Sequence, residues 1–277
     1  MRTNSRAGRT ALDEKIEAFR RQGYIVPPKN IIKTEKQIEA IRKSAKINTA
    51  ILDHVAKHIR PGMTTEEIDE LVYTFTKGQG ATPAPLNYHG FPKSVCTSIN
   101  HEVCHGIPSK DRVLQEGDII NVDVSTIYHG YFSDASRMFQ IGEVSEEAKK
   151  LVAVAKECME KGIEQVKPWG LLGDVGAAIN AHAKANGYSV VREIGGHGVG
   201  LAFHEDPYVS HVSKAGTGMI LVPGMIFTIE PMVNIGTARV KEDRKNGWTI
   251  YTADGKLSAQ WESMVLVTET GYEILTC

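Results

Sequence analysis

The chain has 277 residues, of which 23% are charged and 42% hydrophobic, with a formal net charge of −1. That length suits one large domain or two modest ones around a sizeable core, and the composition excludes disorder, a fibrous repeat and a mini-protein. The charge balance excludes a global attraction to nucleic acid or anionic membrane, so any partner is read locally.

Residues 1–30 hold seven Lys/Arg against three Asp/Glu and end in Pro27-Pro28, with a short helix expected over Leu12 to Phe19. We read residues 1–33 as a basic N-terminal extension and 34–277 as the main domain, made of two similar halves. Arg2, Arg6 and Arg9 have no apolar run behind them, which argues against a secretory or organellar signal. Thr34 with Gln37 makes a capping box, after which Ile38, Ile41, Ala45, Leu52, Val55 and Ile59 recur at helical spacing until Pro61-Gly62. Thr64 with Glu67 caps a second helix through Ile68, Leu71, Val72 and Phe75, stopped at Gly78 and Gly80. An antiparallel helix pair is therefore expected.

Strands are expected over 117–124 and 132–139, joined as a hairpin through Tyr128-His129 or His129-Gly130. Helical spacing resumes from Ser145 to Ile163, breaks at Pro168-Trp169-Gly170 and continues from about Val175 to Gly187; strands fill the rest. The longest charge-free stretch, 215–229, is interrupted by Gly and Pro and falls short of the roughly 20 apolar residues of a membrane span. Four cysteines, Cys96, Cys104, Cys158 and Cys277, lack CxxC spacing and read as free thiols of a cytoplasmic protein.

The two halves echo each other. Pro61 and Pro168, Gly80 and Gly187, Gly117 and Gly224, Asp123 and Glu230 are all 107 positions apart. The period is too long for a solenoid, so two similar lobes are expected in one pseudo-symmetric α+β unit, helix pairs covering an antiparallel sheet.

Acidic residues fall where that repeat would bury them. Asp123 lies among Ile120, Val122 and Val124; Asp134 projects from the same face of the hairpin under either loop; Glu230 ends an apolar strand, and Glu262 sits between Trp261 and Val265. Buried carboxylates repel and cost several kcal/mol unless cations neutralise them. Two divalent ions would do so, and an oxygen-rich donor set with one imidazole, His197 in Gly195-Gly196-His197-Gly198, favours Mn, Fe or Co, with Zn and Ni admissible.

Two other motifs are set aside. His101-Glu102-Val103-Cys104-His105 has the HExxH pattern of zinc proteases, but that chemistry needs a helix, and Gly106-Ile107-Pro108 follows at once. The Gly195–Gly200 run has Leu201 where a dinucleotide fingerprint needs its last glycine.

Asp123, Asp134, His197, Glu230 and Glu262, taken with Tyr88-His89-Gly90-Phe91-Pro92-Lys93-Ser94, Cys104-His105-Gly106-Ile107-Pro108 and Phe203-His204-Glu205, resemble the type I methionine aminopeptidases of the pita-bread metallopeptidase family. The resemblance runs from about residue 34 to the C-terminus. It implies the pita-bread fold and removal of the initiator methionine from nascent polypeptides by a metal-bridging hydroxide. In that scheme Asp134 and Glu262 bridge two metals, Asp123 completes one site, and His197 with Glu230 completes the other. Glu230 also carries the proton, His204 stabilises the oxyanion and His105 contacts the scissile amide. Tyr88, Phe91, Cys96, Phe203, Met232 and Trp248, with His105 and His204, form the substrate pocket.

The chain departs from the family at Glu262-Ser263, where Glu-His is common, and at Ser133, where Gly is common. As partners the resemblance implies the N-terminal Met of nascent peptides, for a monomer without membrane or specific nucleic-acid contacts; the +4 charge of residues 1–30 suggests contact with the ribosome or with the protein's own surface. Competing readings are an X-Pro peptidase on the same fold and a catalytically dead binding module, the latter disfavoured by five intact ligand positions.

Overall fold

The structure, a computed structural model, describes residues 10–277. Helix α1 (Ala11–Arg21) opens with a capping box between Thr10 and Asp13. It is followed by α2 (Glu35–Ala56) and α3 (Thr65–Gly78), each begun by the capping box expected of it. Short strands β1 (Thr82–Pro83), β2 (Cys96–Ile99) and β3 (Glu102–Cys104) lead into the long hairpin β4 (Ile119–Tyr128) and β5 (Tyr131–Gln140). The second helix pair is α4 (Glu146–Ile163) and α5 (Leu172–Ala185). Strands then follow as β6 (Ser189–Val190), β7 (Gly196–Gly198), β8 (Glu205–Val209), β9 (Ile226–Ile229) and β10 (Met232–Asn234). The last are β11 (Val240–Glu242), β12 (Ile250–Thr252), β13 (Ser258–Gln260), β14 (Glu262–Val267) and β15 (Tyr272–Ile274).

Nine strands form one curled sheet in the order β1-β4-β5-β14-β9-β7-β8, with β2 beside β4 and β15 beside β14; its named pairings are antiparallel. The hairpin turns through His129 and Gly130 at φ 48° and 82°, the left-handed pair that a two-residue turn between right-twisted strands requires. With that turn Asp123 stands opposite Ser136 and Asp134 opposite Ser125, so the acids are staggered on one face, the second of the two registers considered.

The fold is α+β in pita-bread form, and the 107-residue offset is physical. Helix α3 (Thr65–Gly78) and helix α5 (Leu172–Ala185) have equal lengths in register with it. Isolated bridges Thr64–Val113 and Leu171–Ile220 correspond, and Gly117 and Gly224 share a left-handed φ of 94° and 92°. Helix α5 starts three residues before the expected Val175 because Leu171 supplies no side-chain cap, and so no local signal marks its start. In the second half, β9 and β14 stand where the first half has a hairpin, and the excursion between them carries β10 to β13.

Each helix pair buries its apolar stripe on the sheet. Ile51, Leu52, Val55, Ile68 and Val72 pack on Ile120, Val122, Val124 and Ala135, while α4 and α5 pack on Phe227, Ile229 and Val265. Every such side chain contributes about 1.5–3 kcal/mol. Because strand residues alternate faces, seating Ile120, Val122 and Val124 on the helices turns Asn121, Asp123 and Ser125 to the other side of the sheet.

The described part of the N-terminal extension is no loose appendage. Ile16 is buried with Leu12 and Phe19 against the second half. Phe19 stacks on Trp169 at 5.5 Å, and Lys15 Nζ lies 4.0 Å from the centre of the same ring. Arg2, Arg6 and Arg9 fall outside the described residues. Among the described residues no helix is long and apolar enough to cross a membrane.

Candidate metal centre and substrate pocket

Adjacent strands deliver acids to one place by period-two alternation. Asp123 comes from β4, Asp134 from β5, Glu262 from the start of β14 and Glu230 from just past β9. Ligand atoms of Asp134, His197 and Glu262 lie within 4.8 Å of one another. His197 Nε2 is 3.7 Å from both Asp134 Oδ2 and Glu230 Oε1. The glycines beside His197 are there for close approach: a Cβ on Gly196 would meet Thr228 O at 2.4 Å, and one on Gly198 would meet Asp206 O at 2.0 Å.

The donors are oriented by neighbours. His197 Nδ1 lies 2.9 Å from Gly198 O, an acceptor, which assigns the proton to Nδ1 and leaves the Nε2 lone pair facing the acids. Ser125 Oγ donates to Asp134 Oδ1 at 2.8 Å. Glu230 receives Thr228 Oγ1 at 2.6 Å on one oxygen and Gln260 Nε2 at 3.1 Å on the other.

Asp134, Glu230 and Glu262 are buried, and Asp123 forms part of the cavity wall. Burial pushes the Asp123 carboxyl up to about 7 and Glu230 up to about 8; at Glu230 the hydrogen bond from Thr228 opposes the rise, the charge of Asp123 adds to it, and a hydrogen bond with Glu262 opposes it again. Burial and then the surrounding carboxylates hold Asp134 and Glu262 well above the usual range. A cluster of this kind stays ionised at neutral pH only around cations, and its oxygen-rich composition with a neutral imidazole fits divalent ions of the harder kind. The residues fit such a group.

Beside the acids opens a cavity of about 340 Å³. Tyr88, Phe91, Cys96, His105, Phe203, His204 and Trp248 line it together with the five candidate ligands. Phe91 meets Trp248 edge to face at 5.2 Å, and Tyr88 lies 4.8 Å from Phe203. His204 Nδ1 is 2.9 Å from the Tyr88 hydroxyl, and its ring is 4.2 Å from that of His197. Burial, then His197, His105 and His89, push the His204 imidazole down to about 3, so it is neutral. His105 is held at a left-handed φ of 55°, and burial lowers its imidazole as well.

Met232 does not line this cavity. It is buried with Val103, Cys104 and Val191 beneath the wall, because β10 alternation turns it into that cluster. Among the lining residues that escaped the sequence reading are Glu193, Ile194 and Tyr208. His211 escaped it too: it is fully buried, its Nε2 accepts the Glu230 N–H at 3.2 Å, and burial, followed by His197, pushes it down to about 3. Neither a motif nor a periodicity marks any of the four. The HExxH segment is partly strand, as β3, with His101 stacked 5.3 Å from Tyr251 rather than over a metal.

Both departures from the family pattern turn away from the acids. Ser133 Oγ bonds Ser44 Oγ of α2 at 2.8 Å, and strand alternation puts Ser263 on the face opposite Glu262.

Residues 39–269 match metallopeptidase family M24. Methionine aminopeptidase A of Synechocystis sp. is 54% identical over 245 residues, 88% of this chain and 96% of that protein. The crystal structure of methionine aminopeptidase from Rickettsia prowazekii superimposes with a TM-score of 0.87 at 46% identity, covering 89% of this chain and 99% of the other. An Xaa-Pro dipeptidase from Bacillus anthracis is a more distant likeness, with a TM-score of 0.72 at 26% identity over 89% of this chain and 62% of its own.

Proposed function

The chain belongs to metallopeptidase family M24, and from that premise we propose that it removes the N-terminal methionine of nascent polypeptides with two divalent ions, Mn, Fe or Co, in its acidic cluster. Asp134 and Glu262 would bridge the ions, Asp123 would complete one site, and His197 with Glu230 the other. When bound, such ions lower the pKa of water, polarise the scissile carbonyl and take up a free α-amine.

The chain's own side chains do the remaining work. Tyr88, Phe91, Cys96, Phe203 and Trp248 enclose the unbranched thioether of methionine in an apolar, polarizable slot. His204 Nδ1 and the Tyr88 hydroxyl share a hydrogen bond; with Tyr88 assigned as its donor, His204 presents Nε2–H to the oxyanion that forms at the scissile carbonyl. His105, on the same wall, contacts the scissile amide. Glu230 takes the proton from the attacking water and gives it to the leaving nitrogen, a task suited to a carboxylate held by two neutral donors.

The observation that carries this reading is the aromatic slot opening directly onto the acid cluster. Hydrolysis of Met-Ala-Ser against Ala-Pro-Ala tests it: cleavage of the first with at least tenfold preference is expected, and preference for the second would make the protein an X-Pro peptidase.

We divide the chain into an extension, 1–33, and a catalytic unit, 34–277, acting as a cytoplasmic monomer, since free initiator methionine arises where translation occurs. The extension's +4 charge over residues 1–30 motivates a ribosome contact. Ribosome co-sedimentation lost on deleting residues 1–30 is the expected result; unchanged co-sedimentation discards it.

A further inference from the structure

Lys33 precedes the cap of α2 with its side chain wholly buried, a costly place for an ammonium unless it is paired. Its partner is Glu205 Oε2. The other oxygen of that carboxylate, Oε1, accepts the backbone N–H groups of Leu201 at 2.6 Å and Ala202 at 2.9 Å. Glu205 thereby closes the turn 201–205, whose remaining residues are Phe203 and His204, both on the cavity wall. The turn is anchored separately at its start, where Gly200 O accepts the Phe132 N–H at 2.9 Å and a Cβ on Gly200 would meet Ile41 Cδ1 at 2.5 Å. Lys33 is fixed as well, its N–H donating to Gly224 O at 2.9 Å.

We infer that Lys33, acting through Glu205, is a positioning residue for His204. The buried ammonium keeps the carboxylate inside, the carboxylate holds two amides of the turn, and the turn keeps the His204 ring against Tyr88 and beside His197. Without Lys33, a carboxylate whose side chain is 12% exposed has no cation to offset its desolvation and turns to water, releasing both amides. This role rests on the reading that His204 contacts the reacting carbonyl.

A double-mutant cycle on Met-Ala-Ser hydrolysis by the metal-loaded full chain tests it. His204→Ala is expected to lower kcat by roughly 100- to 1,000-fold, and Lys33→Met by roughly 10- to 100-fold. If Lys33 acts through His204, the double variant matches His204→Ala within about twofold. Losses that multiply would overturn the inference.

Should Lys33→Met fail to fold, Glu205→Gln enters the same cycle with the same two outcomes. Lys33→Met/Glu205→Gln, which removes the stranded charge and retains an acceptor for the two amides, is expected to recover most of the lost kcat; no recovery contradicts the chain of contacts. In spectra of the metal-free protein the His204 ring signals should move in Lys33→Met while those of His182 stay put, and unmoved His204 signals count against the role. An unaltered protein inactive on Met-Ala-Ser would instead defeat the activity assignment and leave these ring signals to decide the positioning role.

Discussion

Asp123 and Glu230 have carboxyls held up to about 7 and about 8 in the metal-free protein, whereas in the unfolded chain they ionise near the ordinary values of 3.8 and 4.5. Between those limits the folded state binds more protons than the unfolded one, so stability falls as pH rises. Metal-free protein unfolded in denaturant is therefore expected to be more stable at pH 5 than at pH 8. Saturation with Mn should reverse the sign, since the ions bind the deprotonated cluster. A metal-free protein equally stable at both values would mean that the acids are not buried together. At this scale the acids of the cluster were legible because a charge among β-branched residues is conspicuous. Tyr208, Glu193 and His211 were not, since an exposed tyrosine, a surface glutamate and a core histidine look ordinary in sequence, and only the fold sets the first two on the cavity wall and the third against Glu230. Met232 shows the converse: its type suits the pocket, but strand alternation turns it away.

Helix α1 is an element whose boundaries were nearly readable and whose packing was not. A short helix is expected over Leu12 to Phe19, and the structure extends it to Ala11–Arg21, but nothing local shows that Leu12, Ile16 and Phe19 pack near Trp169, which lies far along the chain. Trp169 adopts a left-handed φ of 70° where the first half of the repeat has Gly62 at 81°, a strained state for a bulky residue. Phe19 and Lys15 hold its ring in place. Deleting residues 1–24 is expected to remove roughly 3 kcal/mol of stability through Ile16, Leu12 and Phe19 and to lower Tm by several degrees, with kcat on Met-Ala-Ser unchanged. Equal Tm in calorimetry would show that the extension does not brace the second helix pair. The α2–sheet contact is of the same kind. Ser44 and Asn48 look like faults in an apolar stripe, yet Ser44 Oγ reaches Thr126 O at 3.2 Å and Asn48 Nδ2 donates to Val124 O, gripping the hairpin from behind the acids.

For the molecule as a whole, the 107-residue offset was the strongest clue to architecture, because turns such as those at Gly117 and Gly224 need the same left-handed glycine and α3 and α5 have the same length. It could not reveal the excursion between β9 and β14, where the second half departs from the first and supplies Trp248 and Gln260 to the site. What the architecture accomplishes is electrostatic: two lobes of similar build press acids from four strand positions into one apolar interior that only cations make tenable. Calorimetric titration of the metal-free protein with Mn, run in parallel on Glu262→Ala, measures this most directly. Two equivalents and restored Met-Ala-Ser turnover are expected for the unaltered chain, with weakened binding and no turnover for the variant. A variant that still takes up two ions and turns over at near the normal rate would contradict a shared carboxylate between two metals.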